Sequence, residues 1–443
     1  MIANTSLSRV FIKSFFSQIR HNGIRFCVIH NIEEVKSGQS HDIDMCIEVS
    51  KLIEAEQLLK QTAQQLGWKM HLHTGNIRDS FNAKSYHFHL INEHERTITL
   101  IHFDFVPITA WRGREILPNE VMLNGVNSET LYPVSSPEVM AVVDLFPHLL
   151  YDNYIKEKYR PRIYRTFTER PGKVLQVMSN FLPEKLALQV LELVQQQRWN
   201  DILALRPVIV TQSLKHAKRR PLDYVRHILH KILHPTGIMT VFQGTDGSGK
   251  SSIIQMLPKI LGNSFTGDTL NYYHWRPGFL KAEKKSDEEG NPITDLRPHT
   301  HPPDNRLRSF LKLGFYTLDY IFGYCFKVRK QLAQGHLVVF DRYFYDFYID
   351  KIRYRLTISN NVIRFFHTLI PTPAITFLLV GDADKIYARK KEISAEEIQL
   401  QINRLHEYKH FFSNPIVIDV NQKLPDVCFD VCREILNKMS TRF

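Results

Sequence analysis

Cysteine is scarce in this chain: five in 443 residues, scattered at positions 27, 46, 325, 428 and 432 without C-x-x-C spacing. An odd, dispersed set argues against a disulfide framework and fits a reducing compartment, so a cytoplasmic location is expected. Long apolar runs are lacking as well. The longest, "AITFLLV" at 374–380, has the length of a strand and falls far short of the roughly 18 residues a membrane span needs, so no integral membrane contact is expected. No acidic residue precedes Glu33, no internal repeat is visible, and glycine is rare between 115 and 235.

What is present describes a folded, basic protein. The chain is 43% hydrophobic and carries 57 Lys and Arg against 45 Asp and Glu, a formal charge of +12. Such a balance suits phosphorylated ligands, nucleic acid or an anionic membrane surface equally well. A localised basic-aromatic platform is missing, which disfavours nucleic acid as a partner. Acid-free "SLSRVFIKSFFSQIRHNG" reads either as a mitochondrial transit peptide or as the first helix of a domain. Leu7, Val10, Phe11, Phe15 and Ile19 recur at helical spacing, Gly23 stops the pattern and "IRFCVI" follows as a core strand, which favours the helix.

The length implies two or three domains, and three regions separate. Residues 1–112 alternate helical and strand patterns, with strands at 24–30, 42–48, 84–91 and 97–106. Residues 113–235 are mostly helical. In 236–443 the runs "IMTVF", "LNYYHW", "HLVVFD", "AITFLLV" and "PIVIDV" alternate with helical stretches, the mark of a parallel sheet with crossover helices. The Pro-, Lys- and Asp-rich stretch 281–306 lacks periodicity and reads as a loop, either a surface insertion or a flap over a substrate.

At the end of the first of these runs stands Gly244-Thr245-Asp246-Gly247-Ser248-Gly249-Lys250-Ser251, followed by Ser252 and a helical pattern. This is a full G-x-x-x-x-G-K-[ST] in its required strand-to-helix setting. The glycines let successive amides curl inward, and the positive end of the helix adds to them, so a nucleotide triphosphate is the expected ligand. Lys250 is expected to reach the outer phosphates and Ser251 to hold Mg²⁺. Pro258 is expected to kink or end the helix.

"HLVVFDRYFYD" places Asp341 and Arg342 at the carboxyl edge of a strand beside that loop. Asp341 is suited to a water on Mg²⁺, and Arg342 to an acceptor phosphate or oxyanion. Arg389, Lys390 and Lys391 end the helix after "AITFLLV", just before a capping box at Ser394 and Glu397. They form either a solvated face or cations for the transferring phosphoryl group. Asp346 and Asp350, with Arg353 and Arg355 behind, are expected on one face of a helix leaving the Asp341 edge, where they serve hydroxyl recognition or plain salt bridging.

From "GTDGSGKSS" through "DRY" to the "ARK" segment and "RLHEY" (Arg404 to Tyr408), the third region resembles the thymidylate kinase-like branch of the P-loop nucleoside monophosphate kinases. The resemblance implies ATP and Mg²⁺ as cofactors. It gives Asp246 the acceptor, Asp341 and Arg342 the metal water and acceptor phosphate, and Arg389 the donor. Two departures stand out: "HWRPGFL" keeps Arg276, Pro277 and Gly278 but lacks the family's Glu, and "YTLDYIFGY" keeps Asp319 without the arginine that normally follows. Thymidylate specificity is therefore not implied.

In the first region "SHDIDMCIEV" puts Asp42 and Asp44 on one strand face, with Ile43 and Met45 inward, and "TLIHFDFVP" sets Asp104 in another strand. Carboxylates on adjacent strands make a cage for Mg²⁺. The arrangement resembles the nucleotidyltransferase superfamily of the DNA polymerase beta type, with Ile29-His30-Asn31 where that family has glycines. The resemblance leaves open a catalytic transferase, an inactive fold or a sugar-binding variant. His71 with His73 and His87 with His89 alternate on strands without ligand-spaced partners, which disfavours a metal. In 213–235, Leu222, Val225, Leu229 and Ile232 form an apolar face with basic residues opposite, suited to an interdomain helix or to a peripheral membrane contact.

The expected architecture is thus α/β: a C-terminal P-loop kinase with a parallel sheet and flanking helices, an N-terminal α+β nucleotidyltransferase-like domain and a helical middle region. The expected activity is transfer of the gamma-phosphoryl group of ATP to a small nucleotide-, nucleoside- or sugar-type acceptor. A true thymidylate kinase and an ATP-binding switch that controls the first domain are the rival readings. A homodimer stays open.

Overall fold

A computed structural model of the protein describes residues 5–40, 42–73, 84–127, 129–216, 219–265, 270–280 and 302–442. The stretch 281–306, read above as a loop, lies outside them except for 302–306. The chain forms two compact units, Met1–Asn92 with Ile98–Lys231, and Ile232–Arg442 with the turn Glu93–Thr97. The helical segment 113–231 belongs with the first unit.

The first unit opens with α1 (Thr5–His21), β1 (Phe26–Val28), α2 (Ile32–Ser37), β2 (Asp42–Ile47), α3 (Leu52–Gln65), β3 (Lys69–His73), β4 (Lys84–Asn92) and β5 (Thr97–Phe105). Its five strands lie in the order β1-β2-β5-β4-β3. β1 runs antiparallel to β2, β2 parallel to β5, and β3 antiparallel to β4. Strand alternation sorts the residues by face. Ile43, Met45, Phe88, Phe103 and Phe105 are buried together with Phe11, Phe15, Phe16 and Ile19 of α1. Phe11 touches Trp68, Phe88 and Phe103 with ring centroids 5.3, 5.0 and 5.9 Å away. The basic N-terminal stretch is therefore a core helix, although Leu7 and Val10 of its expected apolar face stay exposed.

A short hairpin, β6 (Thr109–Trp111) and β7 (Arg114–Leu117), leads into α4 (Asn119–Leu123), α5 (Pro137–Asp152), α6 (Arg160–Glu169), α7 (Pro171–Met178), α8 (Glu184–Gln195), α9 (Trp199–Ala204), α10 (Arg206–His216) and α11 (Pro221–Leu233). These helices share a core with Cys27, Ile29 and Cys46 of the sheet. On α11 the row Leu222, Val225, Leu229 is exposed.

The second unit contains β8 (Ile238–Gln243), α12 (Lys250–Leu261), β9 (Asn271–His274), α13 (Arg306–Gly323), a π turn over 324–328, α14 (Arg329–Ala333), β10 (Leu337–Asp341), α15 (Asp346–Ile349), α16 (Asn360–His367), β11 (Ile375–Val380), α17 (Ala383–Arg389), α18 (Ala395–Tyr408), β12 (Pro415–Asp419) and α19 (Leu424–Ser440). The order β12-β11-β8-β10-β9 is parallel throughout. Chain order reverses direction at β8, which opens a crevice at its carboxyl end. β8 and β10 are buried along their whole length, as a sheet covered on both faces requires.

Two expectations need correction. α12 does not stop at Pro258 but runs on to Leu261. Pro258 removes the bond that its N–H would make to the Ile254 carbonyl, and one further turn still follows it. The helix expected to display Asp346 and Asp350 is the four-residue α15, so the two do not share a helical face. Asp350 instead ends that turn and accepts from the Arg353 backbone N–H at 3.1 Å.

Candidate functional site

The loop 244–251 sits at the crevice. Gly247 and Gly249 have φ of 85° and 89°, and Gly249 is the N-cap of α12 with no side chain over the first amides. Those amides are left without a side-chain cap, as an anion site needs. Gly247 is fixed by space as well as by φ, since a Cβ would lie 2.9 Å from the Ile386 carbonyl and 3.2 Å from Lys390 Cβ. Ser251 and Ser252 are exposed at the mouth.

Lys250 is folded back into the loop, its Nζ donating to the carbonyls of Gly244 (2.9 Å) and Thr245 (2.8 Å). Burial, and then the Arg342 guanidinium, bring its pKa down to about 8, while Asp341, Asp246 and Asp346 pull the other way. Buried in the same loop, Thr245 Oγ1 and Ser248 Oγ have no partner among the described residues.

On β10, Asp341 Oδ2 accepts from Tyr272 at 3.2 Å, whereas Oδ1 is buried without a partner among the described residues. Arg342 follows with φ 72°, a left-handed turn that directs its chain back under the loop. Its guanidinium donates to Asp246 Oδ1 (2.6 Å) and to Asp346 Oδ2 (3.1 Å). Arg353 reaches Asp246 Oδ2 at 3.2 Å, and Tyr354 donates to Asp346 at 2.9 Å. Against the cost of burial, Arg342, Lys250 and Arg353 hold the Asp246 carboxyl well below the usual carboxylate range. Arg342, expected to grip an acceptor phosphate, is thus already clamped between two carboxylates.

Arg389, expected over the donor, donates to the Val420 carbonyl at 2.9 Å; its neighbour Lys390 is the residue that packs on the loop. Ser394 accepts from the Glu397 amide at 3.3 Å, the start of a capping box. Asp319 is fully buried. It accepts from Arg276 (2.9 Å) and from the amides of Gly278 (3.0 Å) and Leu280 (2.6 Å), so it organises the segment after β9.

The loop, Ser251 and the free oxygen of Asp341 fit a nucleotide and its Mg²⁺. Curled amides and Lys250 suit the phosphates, and a hydroxyl plus a carboxylate suit the ion.

The first unit presents a second cluster on the sheet face opposite α1. In register, Asp42 lies across from His102 and Asp44 across from Asp104. His102 Nδ1 is 3.1 Å from Asp42 Oδ1, and Nε2 is 2.9 Å from Asp104 Oδ1. Burial, then the charges of Asp104 and Asp42, raise the pKa of Asp44 to about 7. The His102 ring stacks on His87 at 4.1 Å, which stacks on His71 at 5.1 Å. Asn31 adopts φ 54°, a left-handed backbone that asparagine tolerates. His30 Nδ1 lies 3.3 Å from Asp144, which also takes two 2.6 Å bonds from Arg162. His30 stacks on Tyr159 at 5.4 Å. Asp42, His102 and Asp104, whose donor atoms lie within 4.8 Å of one another, fit a divalent cation.

Sequence reasoning missed His102, Asp144, Arg162 and Tyr159 at this site. His102 is two residues before Asp104, so strand alternation was the signal that could have found it. For the other three no local signal exists.

No family profile matches the chain, and no curated protein does. Among solved structures, a thymidylate kinase from Ehrlichia chaffeensis is similar over 45% of this chain and 100% of its own, at 18% identity and TM-score 0.29. A Candida albicans thymidylate kinase is similar over 46% and 93%, at 17% identity and TM-score 0.32. The five-stranded parallel sheet and the glycine-rich loop between β8 and α12 make the second unit an α/β fold of the P-loop kind. No helix among the described residues is long and apolar enough to cross a membrane.

Proposed function

We propose that the second unit is an ATP-dependent phosphotransferase acting on a small nucleotide- or carbohydrate-type acceptor. The observation that carries this reading is the loop at the end of β8, with no side-chain cap on the helix that follows, Lys250 inside it and, on the neighbouring strand β10, an oxygen of Asp341 without a partner among the described residues. Lys250 leaves two carbonyls for the phosphates, Ser251 and Asp341 hold Mg²⁺, and Asp246, fixed by Arg342 and Arg353, orients the acceptor. When bound, Mg²⁺ neutralises charge on the outer phosphates. With Arg342 and Arg353 both engaged on Asp246, Lys390, which packs on the loop and pairs with Glu392 at 2.9 Å, is a candidate cation to meet a transferring group.

The test is a screen of sugars, nucleosides and nucleoside monophosphates, dTMP among them, with labelled ATP. Lys250→Ala should abolish transfer while the circular dichroism spectrum stays unchanged; undiminished transfer would refute the assignment. Phosphate release with no acceptor added would favour the regulatory switch.

For the first unit, the proposal is a nucleotidyltransferase-like domain. It is supported by Asp42, Asp44 and Asp104 on one sheet face and by the left-handed backbone at Asn31.

A further inference from the structure

The turn between β6 and β7 and the start of α11 form one basic surface. Trp111 pairs with Arg114 across the hairpin. Between them, Arg112 and Gly113 have φ of 47° and 77°, the left-handed backbone that two-residue hairpin turns need. The Arg220 amide donates to the Gly113 carbonyl at 2.8 Å, and Arg114 bridges to Arg219 in antiparallel fashion. A Cβ on Gly113 would lie 3.0 Å from Tyr224 Cβ, so the glycine lets the helix close onto the turn.

Arg112, Arg114, Arg219 and Arg220, far apart in sequence, thereby meet at one place. The guanidinium carbons of Arg112 and Arg114 lie 5.0 and 5.9 Å from the Trp111 ring centroid. Glu115 pairs with Arg220 at 3.1 Å, and Asp223 is the acidic residue in the first turn of α11. Burial, and then the charges of Arg219 and Arg112, hold the Arg114 pKa below its ordinary value.

A row of aliphatic side chains runs on from this surface along α11. Leu222, Val225 and Leu229, at i, i+3 and i+7, share one helical face. They are 75%, 51% and 52% exposed. Arg226 stands exposed beside them, and Lys231 is buried on the opposite side. Cations next to a bare aliphatic row suit the boundary of a bilayer, where the apolar chains enter and the guanidiniums meet lipid phosphates. A nucleic acid would use the arginines and leave the aliphatic row bare. Trp111, 4% exposed beneath two guanidiniums, offers its bases no ring to stack on.

From this juxtaposition we propose that the first unit docks on an anionic lipid bilayer, with Leu222, Val225 and Leu229 entering the headgroup region and Arg112, Arg219 and Arg226 on lipid phosphates. The proposal rests on neither catalytic reading.

The experiment uses the full chain with vesicles of phosphatidylcholine alone, or of phosphatidylcholine and phosphatidylglycerol in equal parts. The protein should sediment with the anionic vesicles and stay in solution with the neutral ones. Arg112→Ala and Arg219→Ala should each weaken binding about fivefold, the effect of one charge at such a surface. Leu222→Glu combined with Leu229→Glu should abolish binding with an unchanged circular dichroism spectrum, since both side chains are exposed. Leu222→Trp should bind like the wild type and gain a blue-shifted emission component when anionic vesicles are added.

Equal binding to both vesicle types would overturn the proposal, as would binding unaffected by the double glutamate variant or an unshifted emission in Leu222→Trp. So would a failure to sediment at all. In that case, retention of a short DNA duplex that needs the arginines alone would assign the face to nucleic acid. Dimerisation lost in the double glutamate variant, read by analytical ultracentrifugation, would assign it to a second copy of the chain.

Discussion

His89 has no exposed surface, and neither of its ring nitrogens has a partner among the described residues. Burial, with the charge of Lys69, brings its pKa down to about 3. An unfolded chain protonates this ring near its ordinary value of about 6.5, so between those limits the unfolded state binds the extra proton. Stability therefore falls as pH drops through that window, by roughly 1.4 kcal/mol per pH unit for this one group. His89→Leu should flatten the slope of urea-unfolding free energy of the first unit between about pH 6 and pH 4. An unaltered slope would show that the ring is protonated in the fold. Period-two reading makes much of this face legible in the sequence: Asp42 goes with Asp44, and His102 goes with Asp104, because strand alternation is local. Asp144 and Arg162 are not legible, since only the packing of α5 and α6 brings them to His30.

At the level of elements, the segment after β9 is held by an approach that no pattern reveals. A Cβ on Gly323 of α13 would lie 2.3 Å from Pro277 Cβ, so the helix lacks a side chain where the segment crosses it. Lys327 reaches the Gly278 carbonyl at 3.1 Å just beyond, and Tyr320 donates to the Trp275 carbonyl. Gly323→Ala should destabilise the second unit by about 1–3 kcal/mol, the usual cost of overpacking. It should also change the Trp275 emission spectrum. A loss within about 0.5 kcal/mol with unchanged emission would mean that the crossing is looser than this geometry. The phosphate loop, in contrast, is legible because its glycines, lysine and flanking elements are contiguous. The shortness of α15 is not, because Asp346 is drawn inward by Arg342 and Tyr354 rather than by any periodicity.

On the scale of the molecule, two units with separate cores and separate candidate sites predict two unfolding events. Trp68, Trp111 and Trp199 report on the first unit and Trp275 on the second. Saturating ATP with Mg²⁺ should raise the transition seen by Trp275, by about 2.7 kcal/mol at a hundredfold excess over Kd. Lys250→Ala should abolish that shift. If the nucleotide raised both transitions in the wild type and neither in Lys250→Ala, the units would be unfolding as one. The division into a helical middle and two flanking domains is legible only in part, because Cys27, Ile29 and Cys46 hand one side of the first sheet to the helices.

The guanidinium of Arg342 is a rivet shared by three parts of the second unit: the nucleotide loop through Asp246, the end of β10 through its own backbone, and the turn after it through Asp346. Tyr354 tightens the same joint from the far side. A ligand that pulls on Asp246 therefore loads the loop, the strand end and the turn together.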